Sequence, residues 1–240
     1  MRIHPDDDMF TGSYEHYEAV GRQLAGHVGT AARQLNLKAP RILELPCGYG
    51  RVTRHLVAMF QSSNIVASDI IIPATEFVAK EFGVHPHPAQ EPVHELTGID
   101  SDSFDIVVMG SLITHLSEAN SKVLMKNFFR VLRPGGIAIV TITGVCARRA
   151  IDQVDPYGIG EPGRLQLIER YDADQFGFVH YLPKNPFEGK TVEYIGDTYG
   201  VSLIPDRWMQ DICQSNNMTI SEKIIGGWDG HQDVYFMLKR

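Results

Sequence analysis

One segment in the first quarter of the chain limits the possible folds more than any other. Residues 42–52 read Ile-Leu-Glu-Leu-Pro-Cys-Gly-Tyr-Gly-Arg-Val, an apolar strand with an internal acid and then a turn that contains two glycines. A second apolar stretch, Ile65–Ser68, is followed directly by Asp69. Glycines let a ligand approach the backbone of a turn, and an acid at the next strand end can bind both hydroxyls of a ribose. The pattern predicts a nucleoside site at the edge of a parallel sheet.

The order of the predicted strands and helices supports such a sheet. Strands alternate with helices over the first 142 residues, as is typical of parallel sheets, and the apolar run Phe104–Met109 indicates a strand covered on both faces. An amphipathic helix is predicted at 13–37, and strands at 41–45, 65–68, 84–85, 104–109, 137–142, 218–225 and 234–239. We therefore expect a doubly wound α/β sheet of about seven strands.

The composition argues against several other classes of protein. The 240 residues carry a formal charge of −7, whereas binding to a nucleic acid backbone requires clustered basic residues. No apolar run approaches the roughly 20 residues of a membrane span, and the polar start Met1–Asp8 lacks the apolar core of a signal peptide. Three widely spaced cysteines indicate neither a disulfide framework nor a zinc site. We expect a cytoplasmic protein that binds no metal, nucleic acid or membrane.

Two kinds of nucleoside site compete for the first motif. A dinucleotide-binding fold has three glycines in the pattern Gly-x-Gly-x-x-Gly. Here Pro46 occupies the first of these positions, and Arg51, Val52 and Thr53 follow Gly50 without a third glycine. The acid Glu44, which lies just before the turn, is also foreign to that pattern. A dehydrogenase is therefore disfavoured.

At these residues the chain resembles the class I S-adenosylmethionine-dependent methyltransferases. Their first motif is an acid followed closely by a glycine-rich turn, which Glu44, Gly48 and Gly50 match and from which Pro46 departs. The resemblance continues through Asp69, residues 110–116 and residues 132–136, and so covers nearly the whole chain. With residues 12–17 and 227–234 it extends to a group of bacterial methyltransferases of similar length.

The resemblance implies a Rossmann-like sheet whose last strand is antiparallel, S-adenosylmethionine as cofactor and a small-molecule acceptor. Gly48 and Gly50 would bring the backbone close to the cofactor, Glu44 would support its amino group, and Asp69 would bind its ribose. The other cofactor-binding positions are Tyr14, Tyr17, Cys47, Ile70, Gly110 and Ser111. For Tyr14 and Tyr17 a second interpretation is equally good, in which they pack the first helix against the sheet and do not contact the cofactor. We read Cys47 as a small buried side chain of this turn and not as a nucleophile.

Pro46 and two histidines decide how the site works. A proline lacks the N–H donor and has a fixed φ, so a position that requires a positive φ would put cofactor binding in doubt. We expect instead that Pro46 is the extended end of the first strand, which is compatible with the cofactor and stiffens the turn. A hydroxyl acceptor needs a base, and histidine titrates near neutral pH. His115, after the fourth strand, and His231, between the last two strands, are the candidates. Trp228 and Gln232, which flank His231, are the predicted acceptor contacts.

The predicted organisation is a single domain over 1–240 with four parts. Residues 1–39 form a helical cap, 40–143 the cofactor half, 144–205 an irregular insertion over the acceptor, and 206–240 a helix and hairpin. The insertion's aromatic residues either contact the acceptor or form a small core of their own: Tyr157, Tyr171, Phe176, Phe178, Tyr181 and Tyr194. We expect methyl transfer to a hydroxyl or amine of a small molecule, possible acceptors being sugars or secondary metabolites. The alternative is a non-catalytic protein that retained the fold.

Overall fold

The structure is a computed structural model that describes residues 2–181 and 199–240. Its strands are β1 (Ile42–Leu45), β2 (Ile65–Asp69), β3 (His85–Pro88), β4 (Phe104–Met109), β5 (Leu132–Ile142), β6 (Gly177–His180), β7 (Gly200–Leu203), β8 (Met218–Trp228) and β9 (Gln232–Lys239). The main sheet has seven strands in the order β3-β2-β1-β4-β5-β9-β8. The strands from β3 to β5 are parallel, and β9 runs antiparallel to both of its neighbours. The predicted Rossmann-like sheet with an antiparallel last strand is confirmed.

Helices cover both faces of this sheet. They are α1 (Tyr14–Gln34), α2 (Thr53–Leu56), α3 (Ile72–Phe82), α4 (Glu118–Val131), α5 (Val145–Ile151), α6 (Gly160–Asp172) and α7 (Asp206–Ser215). Serine hydroxyls cap the first turns of two of them, because Ser13 accepts from the His16 amide and Ser117 from the Asn120 amide. Gly83 ends α3 with a φ of 70°, a conformation that glycine adopts without strain.

The side chains of β1 show how the sheet separates two apolar layers. Leu43 and Leu45 point into a cluster with α4 and α7, whereas Ile42 points into a cluster with α1 and α3. Successive side chains of a strand point to opposite faces, so Glu44 shares the face of Ile42. An acid therefore lies among the apolar residues of the α1 and α3 layer, where it is 3% exposed. Such burial is rare for an acid unless it has a function or a partner.

Three parts of the chain differ from the sequence-based expectation. The sequence predicts a helix from about Gly50 to Phe60, but only Thr53–Leu56 is helical before turns take over. β3 starts one residue later and runs through both prolines, which an edge strand tolerates. The described part of the 144–205 insertion is more regular than predicted, since it contains α5, α6 and the two-stranded sheet of β6 and β7.

The insertion has a small core of its own in its described part. Residues of α5, α6 and β7 form this apolar cluster, and Tyr157 is one of its members. Tyr171 and Tyr181 pack against it, whereas Phe176 and Phe178 join the cluster on the α4 side of the main sheet. Tyr194 lies outside the described residues. In the described ranges, no helix is both long and apolar enough to cross a membrane.

Candidate functional site

A cavity of about 520 Å³ opens at the carboxyl ends of β1, β2 and β4. This is the edge at which open α/β sheets bind their ligands, and the volume lies in the usual range for small-molecule sites. Nine of the predicted site residues line it: Glu44, Cys47, Gly48, Asp69, Ile70, Gly110, Ser111, His115 and Trp228. The sequence motifs that are far apart in the chain thus meet around one space.

Asp69 ties the glycine turn to the end of β2. Its Oδ2 accepts from the Gly48 amide at 2.8 Å, and its Oδ1 accepts from the Ile71 amide at 3.0 Å. Burial raises the pKa of this carboxyl, and the backbone N–H groups oppose the rise because they stabilise the charged form. A carboxylate has about four acceptor sites, so Asp69 keeps capacity for further donors.

Glu44 has one satisfied oxygen and one without a partner. Oε2 accepts from the Thr53 hydroxyl at 2.7 Å, whereas Oε1 is buried and has no hydrogen-bond partner among the described residues. Burial raises the pKa of Glu44 to about 8, although the hydrogen bonds from Thr53 lower it. An unpaired carboxyl oxygen beside a cavity is costly to bury unless a ligand donor completes it.

The two glycines of the turn have different roles. A Cβ on Gly48 would meet no described atom within 4 Å, so this glycine leaves the backbone open towards the cavity. A Cβ on Gly50 would lie 2.5 Å from Phe82 Cε2, and Gly50 does not line the cavity. Both residues have positive φ values, 49° and 87°. Gly50 therefore permits close packing of the turn on α3, and Gly48 permits approach of a ligand.

Pro46 does not extend β1 as expected, because the strand ends at Leu45; Pro46 stands in a bend directly after it and lines the cavity without closing it. The Leu45–Pro46 peptide bond is cis. The next residue, Cys47, rejoins the sheet because its amide donates to the Ser68 carbonyl at 2.9 Å. Burial raises the pKa of the Cys47 thiol well above its usual range, so the thiol is not ionised at neutral pH. Cys47 is thus a small lining group and not an activated nucleophile.

A polar network follows β4. Ser111, which has a φ of 56°, donates from its amide to the Thr141 hydroxyl at 2.8 Å. The Gln232 side chain joins the same two residues, accepting from the Thr141 hydroxyl at 2.5 Å and donating to Ser111 Oγ at 2.8 Å. Gln232 does not itself line the cavity, so its contacts hold Ser111 in place. A left-handed serine is strained, and such strain is typical of functional turns.

His115 lies beside this network. Its Nε2 is 3.5 Å from Ser111 Oγ, and its Nδ1 is 2.9 Å from Tyr181 Oη and 3.2 Å from the Gly200 carbonyl oxygen. The Tyr199 ring stacks on the imidazole with centroids 4.6 Å apart. Burial lowers the pKa of His115 to about 4, and the contact with Gly200 only partly offsets this. The imidazole is therefore neutral at physiological pH.

His231 and Trp228 are separated by the hairpin turn between β8 and β9. Trp228 lines the cavity, donates to the Val20 carbonyl at 2.9 Å and carries the Arg51 guanidinium over its ring at 5.2 Å. His231 is absent from the cavity lining, and its Nε2 lies 2.6 Å from Tyr157 Oη. Of the two histidines predicted as bases, the structure brings only His115 to the cavity.

The tyrosines of the first helix do not reach the cavity. Tyr14 is 63% exposed because it lies on the solvent side of α1, where its ring contacts Phe10. Tyr17 is buried, but its hydroxyl donates to Asp7 Oδ2 at 2.5 Å instead of lining the cavity. Tyr17 is therefore connected to the cavity through its hydrogen bond with Asp7, which does line it.

The sequence reasoning missed the segment before α1 and a buried arginine. Residues 6–9 line the cavity, and His4 stacks on Tyr49 with centroids 4.3 Å apart. Arg54 is 1% exposed and donates to the carbonyls of Gly50 and Arg2 at 3.1 and 3.2 Å. The sequence shows only a basic residue, Arg54, about one helical turn after Gly50. Its partners in the segment before α1 are too distant in sequence for a local pattern to indicate them.

The cavity is strongly acidic. Among the described lining residues, Arg51 is the one lysine or arginine. Six others are acids: Asp6, Asp7, Asp8, Glu44, Asp69 and Glu91. Such a lining favours ligands that carry positive charge and opposes anions, because charges in a partly dry cavity are weakly screened.

Comparison with known proteins agrees with this architecture. Residues 42–136 match a family model described as a methyltransferase domain. No curated protein sequence matches the chain significantly.

Solved structures resemble the chain over nearly its full length. The PH0226 protein of Pyrococcus horikoshii is 17% identical, with a TM-score of 0.66 over 100% of this chain and 97% of its own. A 1,6-didemethyltoxoflavin-N1-methyltransferase of Burkholderia thailandensis, solved with that compound and S-adenosylhomocysteine, is 15% identical, with a TM-score of 0.57 over 97% and 81%. An S-adenosylmethionine-dependent methyltransferase of Clostridium acetobutylicum is 15% identical, with a TM-score of 0.60 over 91% and 92%. These likenesses establish a common fold.

Proposed function

We propose that the chain transfers a methyl group from S-adenosylmethionine to a hydroxyl or amine of a small molecule, because residues 42–136 match a methyltransferase-domain model and the chain has the class I methyltransferase fold. S-adenosylmethionine is the cofactor. A small acceptor is supported by the size of the cavity and by the likeness to the Burkholderia enzyme, which was solved with a small molecule bound.

The observation that carries this proposal is the meeting of three partners for the cofactor in one cavity. Glu44 presents a buried oxygen that has no partner in the described part of the chain, Gly48 leaves space beside the backbone, and Asp69 ends the next strand. A cation such as the amino group of the cofactor would complete Glu44, and the ribose hydroxyls suit Asp69. The residues present thus fit the group that the fold implies.

Other lining residues contribute charge and an apolar environment to the reaction. When bound, S-adenosylmethionine supplies a methyl group on a positively charged sulfur. The acidic lining favours that charge, and apolar residues such as Ile70 and Trp228 keep water away from it. Alignment of the two reacting atoms in such a site contributes about 7–11 kcal/mol to catalysis. The protein therefore needs little covalent chemistry of its own.

Isothermal titration of the full chain with S-adenosylhomocysteine tests this function. We expect one site with a micromolar dissociation constant and competition by S-adenosylmethionine. NAD, the ligand of the alternative dinucleotide fold, should not compete. Absence of binding at millimolar S-adenosylhomocysteine would refute the proposal. Binding without transfer of a labelled methyl group to any component of a cell extract would instead identify a non-catalytic cofactor-binding protein.

A further inference from the structure

One wall of the cavity is distinct from the residues of β1 and β2. It runs from the turn after β4 onto the first turns of α4 and ends at the residue before β7. We call it the acceptor wall, and it consists of Leu112, His115, Leu116, Asn120, Leu124 and Tyr199. Leu116 and Leu124 belong to the same buried apolar cluster, against which Leu112 packs. A wall of this composition suits a ligand with an apolar body.

Two groups contact Nδ1 of His115. The Gly200 carbonyl oxygen, at 3.2 Å, can only accept, whereas the Tyr181 hydroxyl, at 2.9 Å, can accept or donate, so a proton on Nδ1 is the arrangement that satisfies both contacts. The lone pair of the neutral ring then lies on Nε2, the nitrogen on the side of Ser111. Burial lowers the pKa of His115 to about 4, so this nitrogen is unprotonated at neutral pH. The acceptor wall thus presents one basic nitrogen among leucine side chains, the Tyr199 ring and the Asn120 amide.

The charge of the lining limits the acceptor further. An anionic acceptor would enter a cavity that already holds six acids and one arginine among its described residues. Burial of a further negative charge there is unfavourable by both desolvation and repulsion. An amine is nucleophilic in its neutral form and does not need a base positioned beside it, whereas a hydroxyl does. Of the two acceptors in the proposed function, the hydroxyl is therefore the one that a neutral imidazole favours.

We propose that the acceptor is an uncharged aromatic hydroxyl compound that lies along the acceptor wall and gives its hydroxyl proton to Nε2 of His115. This inference rests on the proposed function. In the step, an oxygen–carbon bond to the methyl group forms as the carbon–sulfur bond breaks, and the sulfur keeps the electron pair. The proton ends on Nε2, so the products are a methyl ether, S-adenosylhomocysteine and an imidazolium. The ring of Tyr199, stacked on His115, offers an aromatic face for the acceptor.

Three compounds that share one ring system test the acceptor class: 2-naphthol, 2-naphthylamine and 2-naphthoate. Each is titrated into the full chain saturated with S-adenosylhomocysteine and followed by fluorescence or calorimetry. We expect 2-naphthol to bind at least tenfold more tightly than 2-naphthoate. Equal or tighter binding of 2-naphthoate would overturn the inference. Failure of all three to bind a chain that binds S-adenosylhomocysteine would overturn it as well, whereas loss of S-adenosylhomocysteine binding would instead count against the proposed function.

The role of His115 is tested with His115→Phe, which keeps an aromatic ring against Tyr199 and removes the lone pair. With S-adenosylmethionine and 2-naphthol, we expect kcat to fall about 100-fold or more, while the dissociation constant of S-adenosylhomocysteine changes less than threefold. His180→Gln, at an exposed histidine of β6, is the matched control and should keep full activity. His115→Asn repeats the test if the phenylalanine variant does not fold. Full activity in a folded His115 variant, or faster methylation of 2-naphthylamine than of 2-naphthol by the unmodified chain, would overturn the inference.

Discussion

The Gly48 amide donates a 2.8 Å hydrogen bond to Asp69 Oδ2, so the turn after β1 and the end of β2 are held together before any ligand binds. This bond joins the two sequence features from which a nucleoside site was predicted. The carboxylate and the open side of the turn are thus fixed relative to each other by the fold itself. A preformed arrangement of this kind lowers the entropy lost when a ligand binds.

Asp69→Asn should weaken cofactor binding. The substitution replaces one acceptor oxygen by an NH2 donor, which either opposes a backbone amide or removes an acceptor and the negative charge from the ribose diol. We expect the dissociation constant of S-adenosylhomocysteine to rise roughly 10- to 100-fold by calorimetry, equivalent to about 1.4–2.8 kcal/mol. Asp211→Asn, on the surface of α7, is the control. Unchanged affinity in folded Asp69→Asn would contradict the ribose role.

Glu44 should make the ligand-free protein less stable as the pH rises. Its pKa is about 8 in the folded chain and near 4.5 when unfolded, so the folded state holds the proton more tightly. The free energy of unfolding should therefore fall by about 5 kcal/mol from this group between pH 4.5 and 8, and level off above pH 8. Urea denaturation of the native chain and of Glu44→Gln checks this. The difference in free energy of unfolding between the two proteins should change over this pH range. A difference that is constant with pH would show that Glu44 is not buried as described.

Alanine at Gly50 should mainly lower stability, whereas alanine at Gly48 should mainly weaken cofactor binding. Gly50→Ala places a Cβ 2.5 Å from Phe82 at a φ of 87°, so we expect a loss of about 2 kcal/mol or more in the free energy of unfolding. Gly48→Ala meets no described atom and should cost only about 1 kcal/mol, but its methyl group enters the cavity. Its S-adenosylhomocysteine affinity should fall at least tenfold. Similar stabilities for the two variants would show that the packing on α3 is looser than described.

Arg54→Met should loosen the segment before α1. The guanidinium, which is buried, donates to the Arg2 carbonyl and pairs with Glu18 at 3.3 Å. Its removal leaves the buried carbonyls of Gly50 and Arg2 without this donor, which we expect to cost about 2 kcal/mol. Amide hydrogen exchange in residues 2–10 should quicken, and Arg22→Met, an exposed site on α1, should leave it unchanged. Equal exchange in Arg54→Met and the native chain would remove this role.

The pH profile of methyl transfer should reflect the neutral state of His115. Burial holds its pKa at about 4, so protonation removes the lone pair only in acid. The titratable groups that face it, Tyr181 and Tyr199, have pKa values raised by burial and stay neutral throughout. With 2-naphthol, kcat should be constant from pH 6 to 8 and decline below about pH 5. A midpoint near 6.5 would indicate an exposed imidazole instead.

The parts of the site that follow strands could be predicted from the sequence. Glu44, Gly48 and Asp69 stand at fixed positions relative to apolar strands, and parallel strands bring their carboxyl ends to one edge. The same logic placed Ser111 and His115 correctly at the cavity. It also suggested that Gly50 approaches a ligand, but its close neighbour is Phe82, a packing contact that no local pattern reveals.

The predicted site residues that do not line the cavity are placed by contacts between distant segments. Tyr14 and Tyr17 lie on a correctly predicted helix, but the rotation of that helix against the sheet decides which side chains face the cavity. His231 stands beside Trp228 in sequence, but its Nε2 pairs with Tyr157, a residue of the insertion. The segment before α1 has no periodic pattern, and its place over the cavity follows from Tyr17 and Arg54 on other elements. Such pairings depend on the completed packing.

The lining of the cavity extends from Asp6 to Trp228, and β9 lies between β5 and β8 in the finished sheet. During synthesis, the glycine turn and Asp69 therefore leave the ribosome long before Trp228 closes over them. A nascent chain that ends before β8 lacks one wall of the cavity and two strands of the sheet. Cofactor thus has a complete site to bind only after nearly all of this sequence has been made, so it can stabilise the finished protein but not the early folding steps.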